Sequence, residues 1–128
     1  MLDHITFGVA DLDRAAAFYD QALAPLGLAR VASFSAAVTG SVDVIGYGDA
    51  GRAYFWITGA ETCRGQFHVA FAAPDRPTVD AFHTAAIAAG GTDNGSPGIR
   101  AHYHPDYYGA FVLDPEGRNI EAVCRLPE

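Results

Sequence analysis

Residues 4–27, HITFGVADLDRAAAFYDQALAPLG, and residues 68–91, HVAFAAPDRPTVDAFHTAAIAAGG, run through the same kinds of residue in the same order. An offset of 64 pairs His4 with His68, Phe7 with Phe71, Asp11 with Asp75, Phe18 with Phe82 and Gly27 with Gly91. Self-similarity at one spacing marks a duplicated structural unit. Each copy changes periodicity in the same way. Ile5, Phe7 and Val9 alternate with His4, Thr6 and Gly8, while Phe67, Val69 and Phe71 alternate with His68 and Ala70, so each copy opens as a strand with one apolar face. Asp11 then stands at the N-cap of a helix carrying Ala15, Phe18, Ala22 and Leu26 on one stripe and closed by Gly27. Asp75 and Pro77 start its counterpart, with Val79, Phe82, Ala86 and Ala89 on the stripe and Gly90-Gly91 at the end.

Outward from each helix the chain turns β-rich. Strands are expected at about 29–38, 42–48 and 53–58, then at about 100–103, 108–113 and 118–124. Asp49-Ala50-Gly51 and Asp114-Pro115-Glu116-Gly117 read as the turns before each last strand. Gly51-Arg52 matches Gly117-Arg118 at an offset of 66, and Gly59, Thr62 and Gly65 supply loop chemistry for a junction within 59–66. The expectation is one α+β domain over 1–128, built from two βαβββ modules, 1–62 and 63–128. A chain of 128 residues is long enough to bury a core without staples.

Composition removes several function classes. The 8 basic residues face 15 acidic ones for a net charge of -7, the wrong sign for gripping phosphate backbones, so nucleic acid is not an expected partner. All the basic residues are arginines, which excludes Schiff-base chemistry and the lysine of a Walker P-loop. With four serines and no GxSxG elbow, serine catalysis has no footing. Cys63 and Cys124 form no CxxC, so neither a disulfide framework nor a zinc knuckle is expected. No apolar run approaches a membrane span, and the opening MLDHITFGV lacks a basic n-region, which points to a cytoplasmic protein without a membrane partner.

The histidines and a few strand carboxylates remain. His4 and His68 occupy the non-apolar face of equivalent strands, and modules set side by side would bring both imidazoles to one concave surface. Glu121 interrupts the apolar last strand, NIEAVC, and points with Asn119 and Val123. Two imidazoles and one carboxylate make a facial ligand set with coordination positions left open. A strand histidine or glutamate standing alone is more often a solvated polar-face residue; the repeat ties two of the three together. The stretch Arg100 to Tyr108, RAHYHPDYY, is the densest polar and aromatic cluster. Arg100 offers a clamp for a carboxylate or phosphate, and His102 or His104 an acid or base near neutral pH, with Tyr108 beside them. The bland reading of the same stretch is a surface hairpin with a Pro turn.

The opening LDHITFGVADLDRAAAFYDQAL, the restart FHVAFAAPD and the close YYGAFVLDPEGRNIEAV resemble the vicinal oxygen chelate superfamily, which includes glyoxalase I, bleomycin resistance proteins and extradiol dioxygenases. The resemblance covers essentially the whole chain and is most specific in its closing segment. It implies two βαβββ modules wrapped as a half-barrel around a cavity, and metal ligands at His4, His68 and Glu121. It further implies a divalent ion (Fe, Mn, Zn, Ni or Co), a small-molecule substrate and a homodimer, because modules of this family commonly pair across subunits. That pairing decides whether His4 and Glu121 meet within one chain or between two.

Two departures narrow the implied activity. Glyoxalase I has a fourth ligand, a proton-shuttling Glu, where the repeat puts Phe55, so authentic glyoxalase I activity is not expected. Extradiol dioxygenases resemble one another in a Tyr ten residues before the Glu, where this chain has Phe111; Tyr107 and Tyr108 would replace it only if the strand register slipped. Phe55 and Phe111 join Arg100, His102, His104 and Tyr108 as expected substrate-contact residues. The expected function is a metal-dependent lyase, isomerase or dioxygenase. Its rival is a metal-free protein that sequesters a ligand, resembling the bleomycin resistance members.

Overall fold

The computed structural model describes residues 1–128. Module one runs β1 (Ile5–Gly8), α1 (Leu12–Ala22), β2 (Ala29–Phe34), α2 (Ala36–Thr39), β3 (Val44–Asp49) and β4 (Arg52–Thr58). Module two runs β5 (His68–Ala72), α3 (Arg76–Ala88), β6 (Thr92–Ile99), β7 (Tyr108–Leu113) and β8 (Asn119–Cys124). The sheets have the matching orders β1-β4-β3-β2 and β5-β8-β7-β6. In each, the first and last strands pair in parallel, which a helical crossover makes possible, and the other neighbours are antiparallel. The chain is thus an α+β fold of two βαβββ modules, and none of its helices is long and apolar enough to cross a membrane.

Both helix starts follow from their caps. The Asp11 carboxylate accepts from the Arg14 N–H at 3.0 Å, and Asp75 accepts from the Thr78 N–H at 2.8 Å. The apolar stripes then meet: α1 packs on α3, and Phe18, Tyr19, Phe82, Val79 and Ala86 are all buried. Phe55 from β4 touches Phe71 from β5 edge-on, with ring centroids 5.2 Å apart, so the core is continuous between the modules. A fully buried aromatic side chain of this kind contributes about 1.5–3 kcal/mol.

The structure differs from the sequence reading in three places. The first helix, expected to carry Leu26 and close at Gly27, ends at Ala22, and Pro25 lies in a separate 3₁₀ turn, Ala24–Leu26, that Gly27 closes at φ 76°. The strand expected over 29–38 stops at Phe34, because the Asp43 carboxylate captures the Ala36 N–H at 2.6 Å and a single helical turn follows, ended by Gly40 at φ 75°. In module two the first strand after the helix is not 100–103 but Thr92–Ile99, a segment with poor β propensity. It survives as an edge strand that is irregular around Gly95 and Gly98, which accommodates Pro97. Residues 101–103 instead form a turn, closed by Arg100 N–H to Tyr107 O at 2.7 Å and Tyr103 N–H to Arg100 O at 2.9 Å.

The DPEGR segment between β7 and β8 does more than turn the chain. Asp114 and Arg118 are buried, and the Tyr19 hydroxyl of α1 donates to Asp114 Oδ2 at 2.7 Å. Glu116 accepts from the Ala10 and Asp11 N–H groups at the entrance to α1, while Arg118 Nη2 donates to the Gly8 and Cys63 carbonyls. Arg118 also faces both carboxylates, Asp114 at 3.4 Å and Glu116 at 3.3 Å. These contacts lock the second module to the C-terminal end of β1 and the entrance to α1.

Candidate functional site

Glu121 is the one fully buried carboxylate on the open face of β8, at 1% exposure. The parallel register of β5 and β8 sets Ala70 beside it, and His68, two residues earlier, reaches across so that Nε2 lies 2.8 Å from Glu121 Oε2. On the other side the Tyr107 hydroxyl donates to Glu121 Oε1. Burial first, and then the hydrogen bond to Glu121 and its charge, push the Tyr107 hydroxyl up to about 12, so it stays a donor at neutral pH. Gly109 makes that contact possible: a Cβ there would lie 3.1 Å from both Glu121 Oε1 and the Tyr107 ring. Phe111 stands directly opposite Glu121 on β7, its ring 6.0 Å from that of His68. His68, Glu121, Tyr107, Phe111, Tyr103 and Arg125 line a cavity of about 330 Å³.

His4 lies elsewhere. It precedes β1 and lines two other cavities of about 400 Å³ each, one with Asp3, Arg52, Tyr54 and Val69 and one with Thr6, Ala53 and Trp56. Its Nδ1 faces Asp3 Oδ1 at 2.7 Å, and Arg52 holds the other oxygen of Asp3 at 2.6 Å. The His4 hydrogen bond, with the Arg52 charge, keeps the Asp3 carboxyl below the usual range. Asp3 thereby occupies Nδ1 and leaves Nε2 as the outward donor, the arrangement of a histidine ligand held by a carboxylate. No three His, Cys, Asp or Glu side chains converge within one chain as a metal cage.

The donor geometry passes a simple test for a divalent ion. Two ligand atoms about 2.1 Å from a common ion and at right angles lie about 3 Å apart. The 2.8 Å between His68 Nε2 and Glu121 Oε2 is close to that, and imidazole with carboxylate suits a divalent ion of intermediate hardness. One chain therefore brings together two of the three sequence-nominated ligands, and the third faces a different cavity.

The nominated substrate contacts scatter more widely. Arg100 lies beside the cavity, its guanidinium carbon 5.5 Å from the centre of the Phe111 ring. His102 packs at a tilt against Tyr103, and His104 accepts the Asp106 N–H at 3.1 Å; both are exposed on the turn and neither lines the cavity. Tyr108 is directed to the other face of β7, where its hydroxyl donates to Asp80 of α3 and Arg76 lies over its ring. Phe55 is buried at 1% exposure in the core and reaches only the wall of one His4 cavity.

Two contacts escaped the sequence reading. Tyr107 needs no slipped register to reach Glu121, because it comes from the turn before β7 rather than from the strand. Its reach is set by the Gly109 gap, which no local pattern announces. Arg125 was legible: alternation from Glu121 through Val123 sets it on the same face of the chain.

A family model, Glyoxalase/Bleomycin resistance protein/Dioxygenase superfamily, matches residues 1–122. Among solved structures, a glyoxalase/bleomycin resistance protein from Albidiferax ferrireducens is 34% identical, with 97% of this chain and 98% of that chain covered and a TM-score of 0.76. A glyoxalase/bleomycin resistance protein/dioxygenase family enzyme from Burkholderia phytofirmans is 23% identical over 98% of each chain, TM-score 0.69. The fosfomycin resistance protein FosX from Listeria monocytogenes, solved with Mn(II) and sulfate, is 18% identical over 97% of this chain and 91% of that one, TM-score 0.68. No curated protein matches.

Proposed function

Since the chain belongs to the glyoxalase/bleomycin resistance protein/dioxygenase superfamily, we propose that it is a divalent-metal-dependent enzyme acting on a small molecule as a homodimer. His68 and Glu121 of one copy and His4 of the other would hold the ion. The observation that carries this reading is the buried Glu121 carboxylate set 2.8 Å from His68 Nε2. A carboxylate withdrawn from water is costly unless it meets compensating charge, and a divalent cation provides that charge. The presence of Mn(II) in the FosX structure is consistent with such a donor set, and the separate His4 cavities support a second copy as the source of the third ligand.

A bound divalent ion would supply Lewis acidity toward a substrate oxygen. The chain's own groups do the rest. Tyr107 holds Glu121 Oε1 and so aims Oε2 toward His68, and Asp3 fixes the His4 tautomer. Phe111 and Tyr103 give the cavity an apolar wall. The sheet registers pair Thr6 with Trp56 and Ala70 with Glu121, so the module-one counterpart of Glu121 is Trp56 rather than Phe55, which lies in the core; no carboxylate stands there, and the reading is of a lyase, isomerase or dioxygenase of another substrate.

The test is a titration of the purified protein with Mn(II), Fe(II), Ni(II) and Zn(II), beside Glu121→Gln. The parent should bind at micromolar concentration and Glu121→Gln at least about tenfold more weakly with its fold intact. A parent that binds no metal would favour the rival reading, a ligand-sequestering protein. The observation on its side is that His68 and Glu121 already satisfy one another within the chain.

A further inference from the structure

Of the arginines in this acidic chain, Arg30, Arg52, Arg76 and Arg118 each sit on a carboxylate. Arg14, Arg64, Arg100 and Arg125 do not; of these four, Arg125 lines the His68–Glu121 cavity and Arg100 lies beside it against Phe111. Arg125 lies over the Tyr107 ring at 5.0 Å, and Arg100 lies over Phe111. The nearest acidic side chain on β6, Asp93, is already engaged by His83 at 2.8 Å. What sets Arg100 apart from the other unpaired arginines is its place, against the Phe111 wall of the cavity with no carboxylate neutralising it.

Arg100 is also built into place. A Cβ at Gly95 would lie 3.2 Å from Arg100 Nη2, and a Cβ at Gly98 would lie 3.0 Å from Nη1, so the guanidinium lies across β6 in space that side chains would fill. One N–H of Nη2 donates to the Ser96 carbonyl at 2.8 Å. With one face on Phe111 and one N–H tied to Ser96, the guanidinium presents its remaining N–H groups as a planar edge.

We propose that the substrate is a small organic acid with an apolar body, whose carboxylate is held by Arg100. The substrate class follows from charge: a single guanidinium edge pairs bidentately with a carboxylate monoanion and neutralises it, whereas a phosphonate dianion on the same edge would keep a negative charge near the Glu121 carboxylate. Phe111 and Tyr103 provide the apolar surface for the body. The proposal rests on His68 and Glu121 being the reaction centre, since Arg100 is beside them and Phe111 lies between.

Benzoate, phenylphosphonate and neutral benzamide serve as probes, titrated calorimetrically into the full-length protein with and without Mn(II). Benzoate should bind at least tenfold more tightly than benzamide and more tightly than phenylphosphonate. Arg100→Gln should weaken benzoate at least tenfold while leaving Mn(II) affinity unchanged. Gly98→Ala, which pushes only the flexible end of the Arg100 side chain, should weaken benzoate as well without a change in melting temperature. The proposal is overturned if benzamide binds as well as benzoate, if phenylphosphonate binds tenfold more tightly, or if Arg100→Gln leaves benzoate affinity within twofold. A parent that holds benzoate through Arg100 but takes up no Mn(II) keeps this inference and refutes the metal reading. One that binds Mn(II) while its benzoate affinity ignores Arg100 does the reverse.

Discussion

Mixing His4→Ala chains with Glu121→Gln chains turns the separation of His4 from the His68–Glu121 pair into a number. His4 lines cavities that do not include the His68–Glu121 pair, so on the proposed reading each complete ligand set needs His4 from one copy and the pair from its partner. A homodimer of either variant has no complete set. In a heterodimer, the Glu121→Gln chain brings His4 to the intact His68 and Glu121 of the His4→Ala chain, and the opposite site lacks both. Random re-pairing in a two-fold symmetric dimer makes about half the dimers mixed, each with one of its two sites whole, so about a quarter of the parental capacity should return. Co-refolding equal amounts, confirming the dimer by sedimentation and counting bound Mn(II) by titration reads this directly. A mixture that is dimeric but recovers nothing would refute the cross-chain reasoning. So would a His4→Ala protein that alone binds metal like the parent.

Three further outcomes follow from the packing. Arg118→Met should destabilise the fold by about 3–5 kcal/mol in urea unfolding, because it removes the cation beside the buried Asp114 carboxylate and releases the Gly8 and Cys63 carbonyls. Tyr107→Phe should cost about 1–3 kcal/mol by the same measurement, since Glu121 Oε1 loses its donor at a buried position. Burial pulls the Glu116 carboxyl up, but the Ala10 and Asp11 N–H groups and Arg118 outweigh it and its pKa lies below the usual value. A carboxyl depressed in the folded state contributes stability that is complete above its unfolded pKa, near 4.3, and lost as pH falls through the folded value. The stability advantage of the parent over Glu116→Gln should therefore shrink as pH drops below about 4.3; an advantage independent of pH across that range would sink the assignment.

What could be read from the sequence was what depends on near neighbours along the chain. Alternation in 4–9 and 67–72, the aspartate caps at 11 and 75 and the repeat of 64 residues define two equivalent units, and β1, α1, β5 and α3 formed where those signals stood. The segment Asp114–Arg118 was legible as a turn, but its role as a clamp was not, because its partners lie about 100 residues away at Gly8, Ala10 and Tyr19. The edge strand Thr92–Ile99 was missed because its backbone is held by β7 rather than by its own Gly- and Pro-rich residues. At the candidate site, strand parity alone marked His4, His68 and Glu121 as residues off the apolar face. Which of them share a cavity depends on how the two sheets are set about α1 and α3, a packing of distant apolar faces with no local signature. The same packing admits Tyr107 to Glu121 through the space at Gly109 and lays Arg100 over Phe111, contacts decided by the absence of atoms on neighbouring strands.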